Sequence, residues 1–271
     1  MARPLWYVHI LKKTFPNIKF IAKLTKVPFI GKVIDLLMFD DDDLIFLPKD
    51  SVVPVNVVVE KPTDIVLPSQ VVEFFINKAN YHWIMNFCIC RESMHCEDYP
   101  SNFGCIFLGE STLQINPQIG RRVTKDEALE YLKKCHDKGF VHIIGRNKLD
   151  SQWLGARPGN KLLTICNCCP CCCLYRIVPH LKSKIGAKMQ RMPGVKVKVN
   201  DNCIGCGTCI RDICFVDAIH LINNRSVISR ECRGCGRCID VCPQNAIELK
   251  LDENFSPKKL INRIEKQVDV T

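Results

Sequence analysis

The apolar positions of this chain change period several times. Near the start, Lys19, Lys23 and Lys26 fall on one helical stripe while Ile18, Phe20, Ile21, Leu24 and Val27 occupy the others. After Pro28 the residues Ile30, Val33, Ile34, Leu37 and Met38 repeat that spacing, so residues 1–50 read as a basic amphipathic helical segment. The stretch 69–79 places Val72, Phe75, Ile76 and Ala79 at helical spacing. Thr124 and Glu127 form a capping box for a helix that ends at Lys138-Gly139 and carries Ala128, Leu129, Leu132 and Cys135 on its apolar face. FVHII at 140–144 and KLLTI at 161–165 predict strands, and so do VKVKV at 195–199, AIHLI at 218–222 and AIELKL at 246–251. Asn223-Asn224 suits a turn. The pattern is that of an α+β protein: a mixed α/β domain over 51–194, a smaller unit over 195–251, and a tail over 252–271.

Composition adds one outlier to this picture. The chain has 271 residues, 47% apolar and 24% charged, which is globular, but nineteen are cysteine. The opening MARPLWYVHILKK lacks the layout of a secretory leader. A cytoplasmic location is therefore expected, where such cysteines serve as thiolate ligands for metal. No uncharged apolar run of about 18 residues predicts a membrane span.

Residues 203–214, CIGCGTCIRDIC, and 232–243, CRGCGRCIDVCP, repeat with a 29-residue offset at their first three cysteines. The repeat continues into DAIHLI and NAIELK. Over about 195–251 the chain resembles bacterial-type ferredoxins with two [4Fe–4S] clusters. The resemblance implies a ferredoxin-like (βαβ)2 dicluster domain at the C-terminus, preceded by the mixed α/β cysteine-rich domain. In that pattern a tight CxxCxxC loop gives three sulfurs to one cubane and the distant fourth cysteine crosses to the other. It implies Cys203, Cys206, Cys209 and Cys242 at one cluster, and Cys232, Cys235, Cys238 and Cys214 at the second. Gly205, Gly207, Gly234 and Gly236 would let the backbone turn around inorganic sulfur. Two departures stand out. The first motif has four residues before its last cysteine where the second has three, and Phe215 stands where Pro243 stands, so the two clusters need not share a potential.

Ten further cysteines are candidate ligands. Cys88, Cys90, Cys96 and Cys105 lie within 18 residues, a count that suits one tetrahedral Zn²⁺ or one cubane. The run CNCCPCCC supplies Cys166, Cys168, Cys169, Cys171, Cys172 and Cys173. Cys166, Cys169 and Cys172 stand in the CxxCxxC register, and Cys168 and Cys171 form an interleaved CxxC. One or two additional Fe–S clusters shared between 88–105 and 166–173 are expected, with zinc as the alternative. The CC pairs resemble the cysteine-rich domains of heterodisulfide-reductase-like proteins, with Pro170 replacing the glycine of their CCG motif. As a whole the chain resembles proteins of anaerobes that set such cysteines ahead of a dicluster ferredoxin module. Cys135 reads as a buried thiol, His142 as a core or edge residue, and His95 beside Cys96 as a candidate ligand.

The formal charge of +10 shrinks once clusters are counted. Each [4Fe–4S]²⁺ core with four thiolates carries −2, so two clusters leave roughly +6 and four roughly +2. Nucleic acid is not expected as a partner, since no RNP-type motif or C₂H₂ finger is present. No acid precedes Asp35 while seven Lys or Arg do. Residues 1–39 therefore suit peripheral contact with an anionic membrane, at its inner face, or a partner, or packing on the protein's own core. The tract 151–200 holds nine Lys or Arg and no acid, which either balances cluster charge or docks an acidic partner or anionic substrate. DDDD at 40–43 reads as a solvated turn. No GxGxxG, P-loop, CxxxCxxC or GxSxG motif occurs, so the chain must receive and deliver electrons without an organic cofactor of its own. The expected role is an iron–sulfur electron-transfer subunit that relays electrons within an anaerobic oxidoreductase complex to a redox partner protein. The rival is an oxidoreductase whose N-terminal cluster itself reduces a disulfide or small acceptor.

Overall fold

The computed structural model describes residues 2–53 and 67–271, so the start of the predicted 51–194 domain lies partly outside it. Helices run over Leu5–Thr14 (α1), Ile18–Leu24 (α2), Ile30–Ile34 (α3), Pro68–Lys78 (α4), Ile89–Ser93 (α5), Lys125–Asp137 (α6), Lys148–Leu154 (α7), Ser183–Gly186 (α8), Arg237–Asp240 (α9) and Pro257–Glu265 (α10). Strands run over Asp43–Phe46 (β1), His82–Met85 (β2), Ile106–Leu108 (β3), Gly120–Val123 (β4), Val141–Arg146 (β5), Leu163–Cys168 (β6), Met189–Arg191 (β7), Val195–Val199 (β8), Ile219–Ile222 (β9), Arg225–Ile228 (β10) and Ile247–Leu251 (β11).

Seven strands form one sheet in the order β4-β2-β3-β6-β5-β1-β7. Its pairs are antiparallel except β1 with β7. Strand alternation divides its side chains between two faces. Ile45, Ile84, Ile106, Leu108, Ile144, Leu163 and Ile165 point to one face, where α4, α6 and α10 cover them. Leu44, Phe46, Trp83, Met85, Phe107, Ile143 and Cys168 point to the other, against α1, α2 and α7. The capping box of α6 forms as expected, with the Thr124 hydroxyl accepting from Glu127 N–H at 3.2 Å.

The C-terminal unit contributes two small antiparallel ladders, β8 with β11 and β9 with β10. Asn223 and Asn224 join β9 to β10 at φ 48° and 57°, the left-handed pair that a two-residue hairpin turn requires. Val195 and Leu249 of the outer ladder share the first core with Ile45 and Ile264.

Three expectations need correction. Residues 1–50 are not helical throughout: β1 enters the sheet between β5 and β7, because Leu44, Ile45 and Phe46 are apolar enough to be buried on both faces. The acidic run before it is not simply a solvated turn. Asp42 is buried and accepts the Lys148 N–H at 2.7 Å, and Asp43 pairs with Arg263 at 2.8 Å. Residues 252–271 are not a loose tail. Ser256 caps α10 by accepting from Lys259 N–H, and Leu260, Ile261, Ile264, Val268 and Val270 all enter the core.

Candidate metal centres

The two ferredoxin-type loops each close on a small cavity. Cys203, Cys206, Cys209 and Cys242 line one, and Cys214, Cys232, Cys235 and Cys238 line the other. Each fourth cysteine thus sits beside the tight loop of the opposite motif. Gly207 and Gly236 occupy equivalent places at φ 75° and 84°, which a side chain would strain. Equivalent amides serve the crossing thiols: Ala218 N–H donates to Cys214 Sγ at 3.3 Å, and Ala246 N–H to Cys242 Sγ at 3.2 Å. Such N–H···S bonds stabilise thiolate over thiol and raise a cluster's potential.

The two cavities differ in setting. Cys206 is exposed, and its thiol is held low by hydrogen bonds from Thr208; Cys203 is held low by the Ser226 N–H. At the second cavity burial dominates, pushing Cys235 up to about 12 and raising Cys232 and Cys238 as well. Thiols held up by burial ionise there when a metal replaces the proton. Phe215 packs edge-on to Phe46 of β1 with ring centroids 5.7 Å apart, so the residue that departs from proline anchors the module to the sheet.

The N-terminal cysteines divide into two groups. Cys88, Cys90, Cys105, Cys166, Cys168 and Cys173 line a cavity of about 190 Å³ under α1 and α2, with Leu11, Phe15, Ile18 and Ile21 in its roof. Strand alternation explains the β6 members, since Cys166 and Cys168 are two residues apart and face the same way. Cys105 and Cys166 sulfurs stand 3.8 Å apart, and Tyr175 Oη lies 3.9 Å from Cys166 Sγ. Contacts from Cys90 pull Cys88 down to about 7, and contacts from Cys105 and Cys168 pull Cys166 well down, while those partners are pushed up. The second group is Cys96, Cys169, Cys171 and Cys172, whose sulfurs all lie within 4.8 Å of one another.

This partition differs from the CxxCxxC register read along the run. Cys166 and Cys169 serve different groups, and so do Cys168 and Cys171, because the run starts as a strand with period two and leaves it before Pro170. His95 joins neither group; it turns the chain at φ 48°. His142 is buried with Nδ1 2.9 Å from Asn167 Oδ1, and Cys135 is a buried thiol pushed up to about 12.

Three residues at the chamber had no clear signal in the sequence. Asp150 lies in its wall, held by Trp153 Nε1–H at 2.8 Å and Thr164 Oγ1–H at 3.0 Å; burial, then Cys166, raises it to about 7. Arg91 is wholly buried, donates to Asn167 O at 2.9 Å and to Phe103 O, and sits 4.3 Å over the Phe140 ring. Arg237 is 6% exposed, donates to Cys168 O at 2.6 Å and lies 5.3 Å over Phe215. Among the described residues neither guanidinium pairs with a carboxylate, and the Nε of each is buried without a partner. Two buried cations beside clustered thiols fit an anionic thiolate-bound metal group, which would balance them and accept from the orphaned N–H groups.

Comparison with known proteins bears on the same segment. Residues 210–251, which include Cys214, Cys232, Cys235, Cys238 and Cys242, match the LdpA Fe-S cluster-binding domain. The C-terminal quarter is an iron–sulfur cluster-binding domain. It is similar to one subunit of the ion-translocating oxidoreductase complex of Methanosarcina acetivorans, 40% identical over 57 residues. That match spans 21% of this chain and 21% of the relative. No solved structure matches the chain. No helix among the described residues is long and apolar enough to cross a membrane.

Proposed function

We propose that the chain is an electron relay through at least three iron–sulfur clusters. In this reading Cys203, Cys206, Cys209 and Cys242 hold one [4Fe–4S] cluster. Cys214, Cys232, Cys235 and Cys238 hold a second. The chamber cysteines, Cys88, Cys90, Cys105, Cys166, Cys168 and Cys173, hold a third. The observation that carries it is one shared apolar core: Cys214, Cys232 and Cys235 pack with Cys168 and Cys173, and Arg237 reaches from the second ferredoxin loop to Cys168 O. The order exposed site, buried site, chamber makes a path for electrons from a donor at Cys206 inward.

The likeness to a subunit of an ion-translocating oxidoreductase complex supports work within a larger assembly, and the relay would hand electrons to a partner protein there. Residues 1–39 supply a face for that setting. Trp6, Phe20, Phe29, Val33, Leu36 and Leu37 are exposed beside Lys19, Lys23, Lys26 and Lys32, which suits an anionic membrane surface at the cytoplasmic side. One observation favours the enzymatic alternative: six thiols line the chamber where one cubane uses four. The surplus pair could serve two-electron, two-proton reduction of a disulfide to two thiols, with the electrons arriving through the ferredoxin module.

The test is iron and acid-labile sulfide per chain, measured on anaerobic protein. About 12 Fe in wild type and about 8 in a Cys166→Ser/Cys88→Ser variant, with both ferredoxin EPR signals retained, is the expected result. About 8 Fe in both proteins would refute the third cluster. Disulfide turnover by the isolated chain with a reduced donor would favour the enzymatic reading.

A further inference from the structure

We propose that Cys96, Cys169, Cys171 and Cys172 form a closed tetrathiolate site for a single zinc ion, separate from the chamber. The spacing of the sulfurs is the first reason. Cys96 and Cys171 Sγ are 3.3 Å apart, Cys169 and Cys171 Sγ 3.5 Å, and all four lie within 4.8 Å. Four thiolates around one ion at a Zn–S distance of about 2.3 Å stand about 3.8 Å from each other. In a cubane each thiolate extends outward from a different iron, so the four sulfurs stand much farther apart.

The protein supplies its own comparison. Among the described residues this is the one group of three or more Cys, His, Asp or Glu donors that converges within 4.8 Å. The eight ferredoxin-type cysteines surround their cavities without doing so. The chamber cysteines are likewise spread around a larger space.

Two separate segments build the site. Cys96 follows α5, where His95 at φ 48° reverses the chain and Cys96 N–H donates to Arg91 O at 2.9 Å. The other three come from the turn after β6, where Cys172 N–H donates to Cys169 Sγ at 3.4 Å. Phe140, Tyr99 and Phe103 pack against the group, and the Arg91 guanidinium beside Cys169 balances part of its charge. Four thiols leave no open position, which is the donor set of a structural zinc site. An ion there would fasten the loop after α5 to the turn that carries Cys168 and Cys173, fixing those two on the chamber wall. The inference does not need the relay reading, because zinc and iron are counted separately.

The experiment measures zinc, iron and sulfide on the full-length chain purified without oxygen, as wild type and as Cys96→Ser and Cys171→Ser. About one zinc per wild-type chain, lost in both variants with iron unchanged, is expected. X-ray absorption at the zinc edge should show four sulfur neighbours at about 2.3 Å. Since either variant could fold poorly, wild-type chain stripped of zinc is also titrated with Co²⁺ alone, and one equivalent should give the intense visible bands of tetrahedral cobalt tetrathiolate. Loss of about four iron from Cys96→Ser, with no zinc in wild type, would overturn the proposal in favour of a cubane. A Cys96–Cys171 disulfide found by mass spectrometry of the anaerobic protein would overturn it too, as would one iron with a mononuclear thiolate signature at these residues.

Discussion

Arg237 offers the sharpest probe of the relay. Its guanidinium is 6% exposed, lines the cavity of Cys214, Cys232, Cys235 and Cys238, and has no carboxylate partner among the described residues. Replacing it with Gln keeps much of the volume and hydrogen bonding but removes one positive charge. Losing that charge disfavours the added electron, so the potential of the neighbouring cluster must fall. At an effective dielectric of about 20, a unit charge about 6–8 Å away is worth about 2–3 kcal/mol, a fall of about 100 mV for a one-electron couple. Arg225, near the other cavity, is the control. It is half exposed and paired with a nearly fully exposed Asp201, so Arg225→Gln should shift its cluster far less. An EPR-monitored redox titration resolves the two signals. Equal shifts at both clusters, or none in Arg237→Gln, would refute the assignment of Arg237 as the counter-charge of the buried site.

Three further outcomes are expected. Burial raises Asp42 from 3.8 to about 8, so the folded state holds a proton that the unfolded chain releases. Stability is then full below about pH 4 and falls as pH rises towards 8; Asp42→Asn should flatten that slope in urea melts and be the more stable protein at about pH 9. Ile264→Ala opens a cavity in the core shared by α4 and α10 and should cost about 2–5 kcal/mol by denaturant unfolding, whereas a loose tail would cost nothing measurable. Phe20→Glu/Phe29→Glu should abolish co-sedimentation with anionic vesicles and leave iron content unchanged; binding that survives the pair would remove residues 1–39 as the contact face.

Much of the fold could be read from local pattern, and its limits are instructive. The α6 boundaries followed from Thr124 and Glu127 because a capping box is a local device. The β9–β10 turn followed from Asn223-Asn224 for the same reason. The strand at 163–168 was only half legible. Its last residues are cysteines whose strand character comes from pairing with β5, Cys166 opposite Ile143 and Cys168 opposite Val141. Reading those cysteines by loop spacing therefore grouped the wrong sulfurs, although all ten residues named do fall into the two thiol groups. Arg91, Asp150 and Arg237 could not be found from sequence, since each matters through burial beside thiols far away in the chain. The α10 helix did leave a signal, the spacing of Leu260, Ile261, Ile264 and Val268, which went unread beside the charged Lys and Glu between them.

The burial of Val195 and Leu249 in the same core as Ile45 and Ile264 has a kinetic consequence. A ferredoxin tethered by a flexible linker must find its acceptor, and its rate depends on linker length and salt. Here the module is part of the wall of the domain it would serve. Transfer from the buried cluster to the chamber would then be first order and indifferent to protein concentration and ionic strength. Only the encounter at the exposed Cys206 end would remain a collision between molecules.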